Sequence, residues 1–431
     1  MNYLIIGSGG REHAICWKLA QSEKAENIYC IPGNYGISLE KKCYIHKLSD
    51  MDFESEKSMK ELFDFIEEKK IDLTIVGPEK PLVKGVVDEF QKRGLKIFGP
   101  DKYASQLEGS KEFAKKFMNK FQVRTADYVS FDKYNEALDY LKSLNSYPVV
   151  IKADGLAAGK GVFICRDFSQ ALVALDECMK KSKFGKAGDR ILVEKYLDGV
   201  EMSILAVTDG KKMIPFVSSK DHKKLLDGDK GPNTGGMGVI SPNPVMNEAI
   251  YDDFMKNCLL PTLNGIQTME MNYKGILFFG LMIKEEKCYV LEYNVRMGDP
   301  ETQSLLPLLK TDLVEIFEKT LGDDLDSLSI DWLNEFSTTV VMASGGYPDE
   351  YEKGFEISFD ESNADKSTKI FFSGVSKSGD GKMVTDGGRV LSVTSIDKNK
   401  LNSIKKSYER INNIKFKGAF FRKDIGINTE E

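Results

Sequence analysis

Residues 148–165 read PVVIKADGLAAGKGVFIC. Val149 to Ala153 is apolar on both sides of a single lysine, Lys152, and Val162 to Cys165 repeats that texture. Between the two runs lie Gly155, Gly159 and Gly161, with a second cation at Lys160. Two short β-prone runs joined by a glycine-bearing loop read as a hairpin. Glycines let backbone N–H groups approach an anion without side-chain interference. A lysine inside an apolar strand is costly unless it meets a negative partner. The stretch therefore predicts a hairpin lying over a polyphosphate, with a flexible hairpin and water-facing lysines as the alternative.

A Walker loop is excluded. Only three residues separate Gly155 from the Gly159-Lys160 pair, Gly161 stands where Ser or Thr is required, and the chain returns as a strand instead of opening a helix. A kinase-type hairpin that covers phosphates is the nearer topology.

Working outward, 431 residues are long for one core and imply two to four domains. Hydrophobic residues at 41% and charged residues at 29% fit a soluble globular protein, and the net charge of −6 argues against nucleic-acid binding through a basic surface. Seven cysteines without a CxxC pair suit a reducing cytosol. His13, His46 and His222 are too far apart in sequence to suggest zinc. The start, MNYLIIG, has no basic leader, and the longest apolar stretch, Gly275 to Ile283, is short of a membrane span. The expectation is a cytoplasmic protein with no nucleic-acid or membrane partner.

Tyr3 to Ile6 is a buried-strand run followed by Gly7-Ser-Gly9-Gly10-Arg11-Glu12-His13 and a helical pattern through Ala20. Strand, glycine turn and helix start make the geometry that binds phosphate at a helix N-terminus. A dinucleotide site would want Gly or Ala at position 12 and an acid ending the second strand, whereas the chain has Glu12 and, after Ile28 to Ile31, Pro32-Gly33-Asn34. A sugar phosphate or a purely structural turn remain the two readings. Further strands at Leu73 to Val76, before Gly77-Pro78-Glu79, and at Lys96 to Phe98, before Gly99-Pro100, alternate with a helix from about Ser58 to Lys69. That alternation predicts a parallel sheet with ligands at its C-terminal edge, where the Arg11, Asn34 and Glu79 turns converge.

Ser110 is the expected N-cap of a helix carrying Lys111 in its first turn, an unfavourable place for a cation unless it serves an anion. The strand Ile191 to Glu194 leads through Lys195-Tyr196-Leu197 to a return strand with Glu201 near its start. From Ser219 to Gly238, which includes Asp221, Lys223, Thr234 and Gly235, glycine density predicts a loop without strands, acting as a ligand grip or a mobile linker. Cys288 to Asn294 alternates so that Glu292 and Asn294 share a face. Two hard oxygen donors suit Mg²⁺, which completes its shell with phosphate and water. Arg296 follows, placed to neutralise charge on a transferred phosphoryl or acyl group.

The hairpin, the Glu194 to Glu201 segment and the Glu292-x-Asn294-x-Arg296 strand together resemble the ATP-grasp superfamily of carboxylate–amine ligases, and within it the phosphoribosylamine–glycine ligase family. The narrower resemblance is carried by GSGGREHA, PGN, DLTIVGPEKPLVKGVVD, LKIFGP, LEGSK, VIKADGLAAGKGV, SKDHK, GPNTGGMG, Glu292 to Gln303, DGGRVL and FRKDIG, in order from Ile6 to Gly426. Met297 departs from the Phe or Leu of the family pattern, and the acidic, Ser-rich Asp360 to Thr368 reads as family-variable surface.

The resemblance implies an α/β multi-domain ATP-grasp fold. Its parts are an N-terminal parallel-sheet domain (1–103), a central domain (104–122 and 194–329), a mobile lid (123–193) and a β-rich C-terminal domain (330–431). It implies ATP with Mg²⁺ or Mn²⁺, and the substrates glycine and 5-phosphoribosylamine, joined through glycyl phosphate in purine biosynthesis by a monomer or weak homodimer. Lys111 and Lys152 would contact the ATP phosphates under the loop containing Gly155, Gly159, Lys160 and Gly161. Glu194 with Lys195, Tyr196 and Leu197 would read adenine, Glu201 the ribose, and Glu292 with Asn294 would hold the metal. Gly9, Gly10, Arg11, Asn34 and Glu79 would receive phosphoribosylamine. Asp221, Thr234, Gly235, Asp299 and Glu301 would surround glycine and the reacting amine, with Lys223 and Arg296 catalytic. The C-terminal strands Thr338 to Ala343, Ile370 to Ser373 and Arg389 to Thr394 carry no independent chemical signal. A biotin-carboxylase-like enzyme, an oxidoreductase and a non-catalytic nucleotide binder are the rival readings.

Overall fold

Strands β1 (Asn2–Gly7), β2 (Asn27–Pro32), β3 (Cys43–Ile45), β4 (Leu73–Val76) and β5 (Ile97–Pro100) form a parallel sheet in the order β5-β4-β1-β2-β3. The computed structural model describes residues 1–50, 52–157, 161–181, 183–360 and 367–427. The four strands expected in this region are present, Leu73–Val76 with the expected ends and the other three with ends shifted by one or two residues. β1 is apolar on both faces because helices cover both: Tyr3 and Ile5 pack with Ala14, Ile15 and Leu19, while Leu4 and Ile6 pack with Leu62, Phe65 and Ile66. The chain runs outward from β1 in one direction and from β4 in the other, so the turns after these two strands flank the switch point where ligands bind in such sheets.

A twelve-residue strand, β16 (Tyr273–Lys284), extends this sheet by pairing antiparallel with β5 through Tyr273 and Lys274. Farther along the same edge, from Phe278 to Lys284, it pairs with β17 (Lys287–Asn294). Its other edge is taken by β10 (Val200–Thr208), which in turn pairs with β11 (Met213–Pro215). The result is a nine-stranded sheet running from the first residues into the middle of the chain.

The hairpin lies in a separate antiparallel sheet. β6 (Tyr128–Phe131), β7 (Val149–Ala153), β8 (Val162–Cys165) and β9 (Ile191–Lys195) are ordered β6-β9-β7-β8 over their own core of Leu141, Ile151, Leu175 and Ile191. Val149 faces Cys165 and Lys152 faces Val162, as a hairpin requires. Gly159 and Lys160 lie outside the described residues.

The stretch from Ser219 to Gly238 differs from the expected strand-free loop. β12 (Lys220–Asp221) pairs with β15 (Gly238–Ser241), and β13 (Lys224–Leu226) forms a hairpin with β14 (Lys230–Asn233). Gly228 and Asp229 adopt left-handed backbone at φ 69° and 52°, so glycine turns the hairpin instead of dissolving it. β15 then pairs with β18 (Phe336–Ala343), followed by strands Arg389–Asp397 and Thr368–Phe372. Two mid-chain strands thus belong to a sheet otherwise built from the C-terminal part, covered by the helix Lys400–Asn412. Residues 361–366 of the expected surface loop lie outside the described residues. No helix among the described residues is long and apolar enough to cross a membrane.

The notch between β1 and β4 is filled by Glu12, whose carboxylate accepts from Gly9 N at 2.5 Å and from Arg11 Nε at 2.6 Å. Gly7 has φ 134°, and a Cβ there would lie 2.5 Å from Glu12 Cγ. Gly7→Ala should therefore destabilise the fold by about 1–3 kcal/mol through overpacking and backbone strain, read as a lower urea midpoint at unchanged m-value.

Candidate functional site

Where β17 ends, the chain turns so that Arg296 and Arg11 donate to one acceptor, the Met297 carbonyl, each at 3.1 Å. Arg296 also bonds Glu108 at 3.0 Å, Glu79 at 3.3 Å and the Asn294 amide oxygen at 3.3 Å. Two guanidinium groups this close, Arg11 buried and Arg296 partly so, require nearby carboxylates. Burial alone would raise the Glu79 carboxyl, but Arg296 and Arg11 hold it below its ordinary value. Burial pushes Glu108 up to about 7 despite Arg296, with Glu79 adding to the rise. The second Glu108 oxygen accepts from Val295 N at 2.7 Å, so this residue orients both the backbone and the head group beside it.

The turn at Gly9 and Gly10 meets Asp299 and Gln303. Asp299 accepts from Gln303 Nε2 at 2.7 Å and from Arg389 Nη2 at 2.8 Å, and Arg389 also donates to the Asp299 carbonyl at 2.9 Å and the Gly235 carbonyl at 2.5 Å. Burial would raise Asp299, yet Arg389 and Arg11 keep it low. Gly235 N donates to the Tyr347 hydroxyl at 2.9 Å. The Asn34 amide donates to the Ser8 carbonyl at 2.7 Å and the Phe372 carbonyl at 3.0 Å, so it braces the first turn against the C-terminal sheet.

Lys223 reaches Glu201 at 2.8 Å, while the Thr234 hydroxyl donates to the Lys223 carbonyl at 2.8 Å and accepts from Gly236 N at 3.0 Å. Asp221 is buried and its Oδ1 has no hydrogen-bond partner. Burial and then Glu301 drive the Asp221 carboxyl well up, and burial also raises Glu301, which accepts from Ser203 Oγ at 3.3 Å. Burial would lower Lys223, but Glu201, Asp221 and Glu292 together raise it.

Beside the four-stranded sheet, Lys111 donates to the carbonyls of Ala153 at 3.0 Å and Gly155 at 2.8 Å. Lys152 bonds the Leu291 carbonyl and Glu194 Oε2, each at 3.0 Å. Glu194 is thus placed against the lysines rather than standing free. Gly161 accepts from Ala153 N at 2.9 Å, Lys195 is exposed, and Tyr196 and Leu197 are half-buried. The expected N-cap is present: Ser110 Oγ accepts from Phe113 N at 3.1 Å.

Glu292 pairs with Gly280 and Asn294 with Phe278, two positions apart on β16, so both face the same side of the sheet as expected. No group of three or more His, Cys, Asp or Glu among the described residues is arranged to hold a metal ion. One carboxylate and one amide oxygen fit a hard divalent cation whose remaining ligands are phosphate oxygens and water.

Domain profiles of phosphoribosylglycinamide synthetase match the chain over residues 1–108 (N domain), 109–302 (ATP-grasp A domain) and 337–428 (C domain). Phosphoribosylamine–glycine ligase of Clostridium acetobutylicum is 50% identical over 426 residues, 99% of each chain. That of Fusobacterium nucleatum is 48% identical over 430 residues, 99% of this chain and 98% of its own. The chain belongs to the phosphoribosylamine–glycine ligase family. Members of this family are carbon–nitrogen ligases of the ATP-grasp type, which use ATP with a divalent metal ion. The crystal structure of the Thermotoga maritima phosphoribosylamine–glycine ligase superposes with a TM-score of 0.83 at 33% identity, over 99% of this chain and all of that one (100%). The biotin carboxylase domain of Hydrogenobacter thermophilus 2-oxoglutarate carboxylase, crystallised with MgADP, ADP and bicarbonate, has a TM-score of 0.73 at 14% identity, covering 97% of this chain and 91% of its own. It shares the fold alone.

Several residues at the site of this family member had no role in the sequence reading. Glu108 and Arg389 lie inside LEGSK and DGGRVL, motifs that carried the resemblance, but neither residue was given a chemical role. Arg389 brings a cation to Asp299 from a C-terminal stretch whose sequence carried no independent chemical signal. Lys115, one helical turn after Lys111, bonds Glu194 Oε2 at 3.1 Å; its i, i+4 spacing was the available signal. Arg422, from FRKDIG, is buried and clamps the β13–β14 hairpin through Asp229 at 2.8 Å and the Lys224 carbonyl at 3.0 Å.

Glu108 generates a pH prediction. Its folded carboxyl titrates at about 7 against an ordinary 4.5, so its protonated form contributes stability that is complete below about pH 4.5 and lost as pH rises through 7. Urea midpoints measured across about pH 4 to 8 should show this decline in the wild type and a flatter profile in Glu108→Gln.

Proposed function

We propose that this chain uses ATP to join glycine to 5-phosphoribosylamine, giving glycinamide ribonucleotide, ADP and phosphate, in the cytoplasmic synthesis of purines. The observation that carries the reading is the meeting of Arg11 and Arg296 at one carbonyl. The sugar-phosphate turn of the parallel sheet and the end of the metal-bearing strand then serve one reaction point.

In this reading Gly9, Gly10 and Arg11 receive the sugar phosphate at the helix N-terminus, with Asn34 and Glu79 fixing the turns around it. Lys111 and Lys152 exchange part of their present contacts for triphosphate oxygens. Glu194 meets the adenine amino group, the Lys195 to Leu197 backbone frames the base, and Glu201 takes the ribose hydroxyls. Asp221, with an acceptor oxygen lacking a partner, suits the glycine ammonium, and Glu301, Asp299, Thr234 and Gly235 enclose it. Glu292 and Asn294 would hold Mg²⁺ or Mn²⁺, which when bound offsets charge on the triphosphate.

A carboxylate is a poor acyl donor. The glycine carboxylate oxygen therefore attacks the γ-phosphorus, ADP departs, and the sugar amine attacks the resulting acyl phosphate and expels inorganic phosphate. Lys223 and Arg296 stabilise charge growing first on the phosphoryl oxygens and then on the tetrahedral oxygen. Residues 123–193 act as the lid that keeps water from the acyl phosphate, over a central part of 104–122 and 194–329, between the N-terminal 1–103 and C-terminal 330–431 parts. No enzyme nucleophile is required, which suits buried thiols such as Cys165 and Cys288, each pushed up to about 12 by burial.

ADP release should require glycine and phosphoribosylamine together. Release with bicarbonate and biotin in place of glycine would overturn the assignment. Glu292→Ala should lower kcat on the order of a hundredfold with an unchanged circular-dichroism spectrum, and full activity in that variant would remove Glu292 from the metal set.

A further inference from the structure

Glu194 is 3% exposed, and its two carboxylate oxygens are treated unequally. Oε2 receives both Lys152, at 3.0 Å, and Lys115, at 3.1 Å, whereas Oε1 has no partner. A carboxylate serving only to neutralise two lysines would share them between its oxygens, because a buried acceptor left empty is costly. The arrangement instead keeps one oxygen available to a donor that the protein does not supply.

Lys115 is fixed too firmly to act on a ligand itself. Its remaining protons go to Thr125 Oγ1 at 2.7 Å and the Ala126 carbonyl at 3.3 Å, which uses all three donors of an ammonium. Thr125 in turn donates to the Val290 carbonyl of β17 at 2.5 Å, next to the Leu291 carbonyl that receives Lys152. Both ammonium groups therefore reference the Glu194 carboxylate to neighbouring residues of one strand.

We propose that Lys115 is a positioning residue that sets the base selectivity of the nucleotide site by holding Glu194 Oε1 as a fixed acceptor. The proposal rests on Glu194 being the group that meets the base. An obligate acceptor at that point takes the 6-amino group of adenine and opposes the 6-carbonyl of guanine, since two acceptors facing each other in a buried site are both left unpaired. Without Lys115 the carboxylate has one ammonium and is free to turn. Buried with less positive charge, it also takes up a proton more readily and can then donate to a carbonyl.

The test is the ratio of ATP to GTP dissociation constants, which does not depend on the fraction of active protein. Wild type should favour ATP. Lys115→Met should reduce that preference roughly tenfold or more, and Lys115→Arg, which keeps the charge, should restore most of it. Should Lys115→Met fail to fold, Thr125→Val, which removes one acceptor orienting the ammonium, should produce a smaller drop in the same ratio. Glu194→Gln should shift selectivity toward GTP: the lysines retain the amide oxygen on their side, and the NH₂ group takes the place of Oε1. An unchanged ratio in Glu194→Gln would overturn the base-contact reading itself. A changed ratio there, with Lys115→Met and Thr125→Val both like wild type, would overturn the role of Lys115 alone.

Discussion

One edge of one strand determines the layout of this protein. β16 pairs with β5 at its start and with β17 farther along, while β10 occupies its opposite edge for nine consecutive pairs. Hydrogen bonds on both edges and apolar burial on both faces leave β16 no freedom to shift. The C-terminal ends of β1 and β4 are thereby fixed beside the end of β17. Arg11 and Arg296 come from parts of the sequence that share no local relation, yet they meet because β16 joins the strands that carry them into one sheet.

The site is densely charged, and most of that charge is compensated within the protein. Arg296 has Glu108 and Glu79, Arg389 has Asp299, and Lys223 has Glu201. Against this background the uncompensated atoms are informative. Among the described residues five buried side-chain atoms lack a partner, and three of them, Glu194 Oε1, Asp221 Oδ1 and Gln303 Oε1, lie at the site. All three are acceptors. Adenine, glycine and the sugar amine all bring N–H donors, so the vacancies match the ligands of the proposed reaction in chemical kind.

Much of the fold was legible because apolar runs announce buried strands. β4 matches the expected Leu73 to Val76, and β7 with β8 match the hairpin to the residue. The site was legible where a residue type was out of place locally: a lysine in an apolar strand, or a carboxylate and an amide near the end of one. Contacts between distant segments leave no such trace. Nothing local shows that Arg389 will reach Asp299, or that β12 and β15 will join the C-terminal sheet. The one mistaken element, the stretch after Ser219, failed because glycine was read as a breaker where Gly228 instead turns a hairpin.

Arg389 and Arg422 enter the site region from late in the chain, whereas the β7–β8 hairpin and Arg296 precede them. In a polypeptide still emerging from the ribosome, Arg296 is already present before either late arginine exists. The Asp299 carboxylate and the β13–β14 hairpin then lack the groups that fix them. Both contacts are therefore the last at the site to become available as the chain is made.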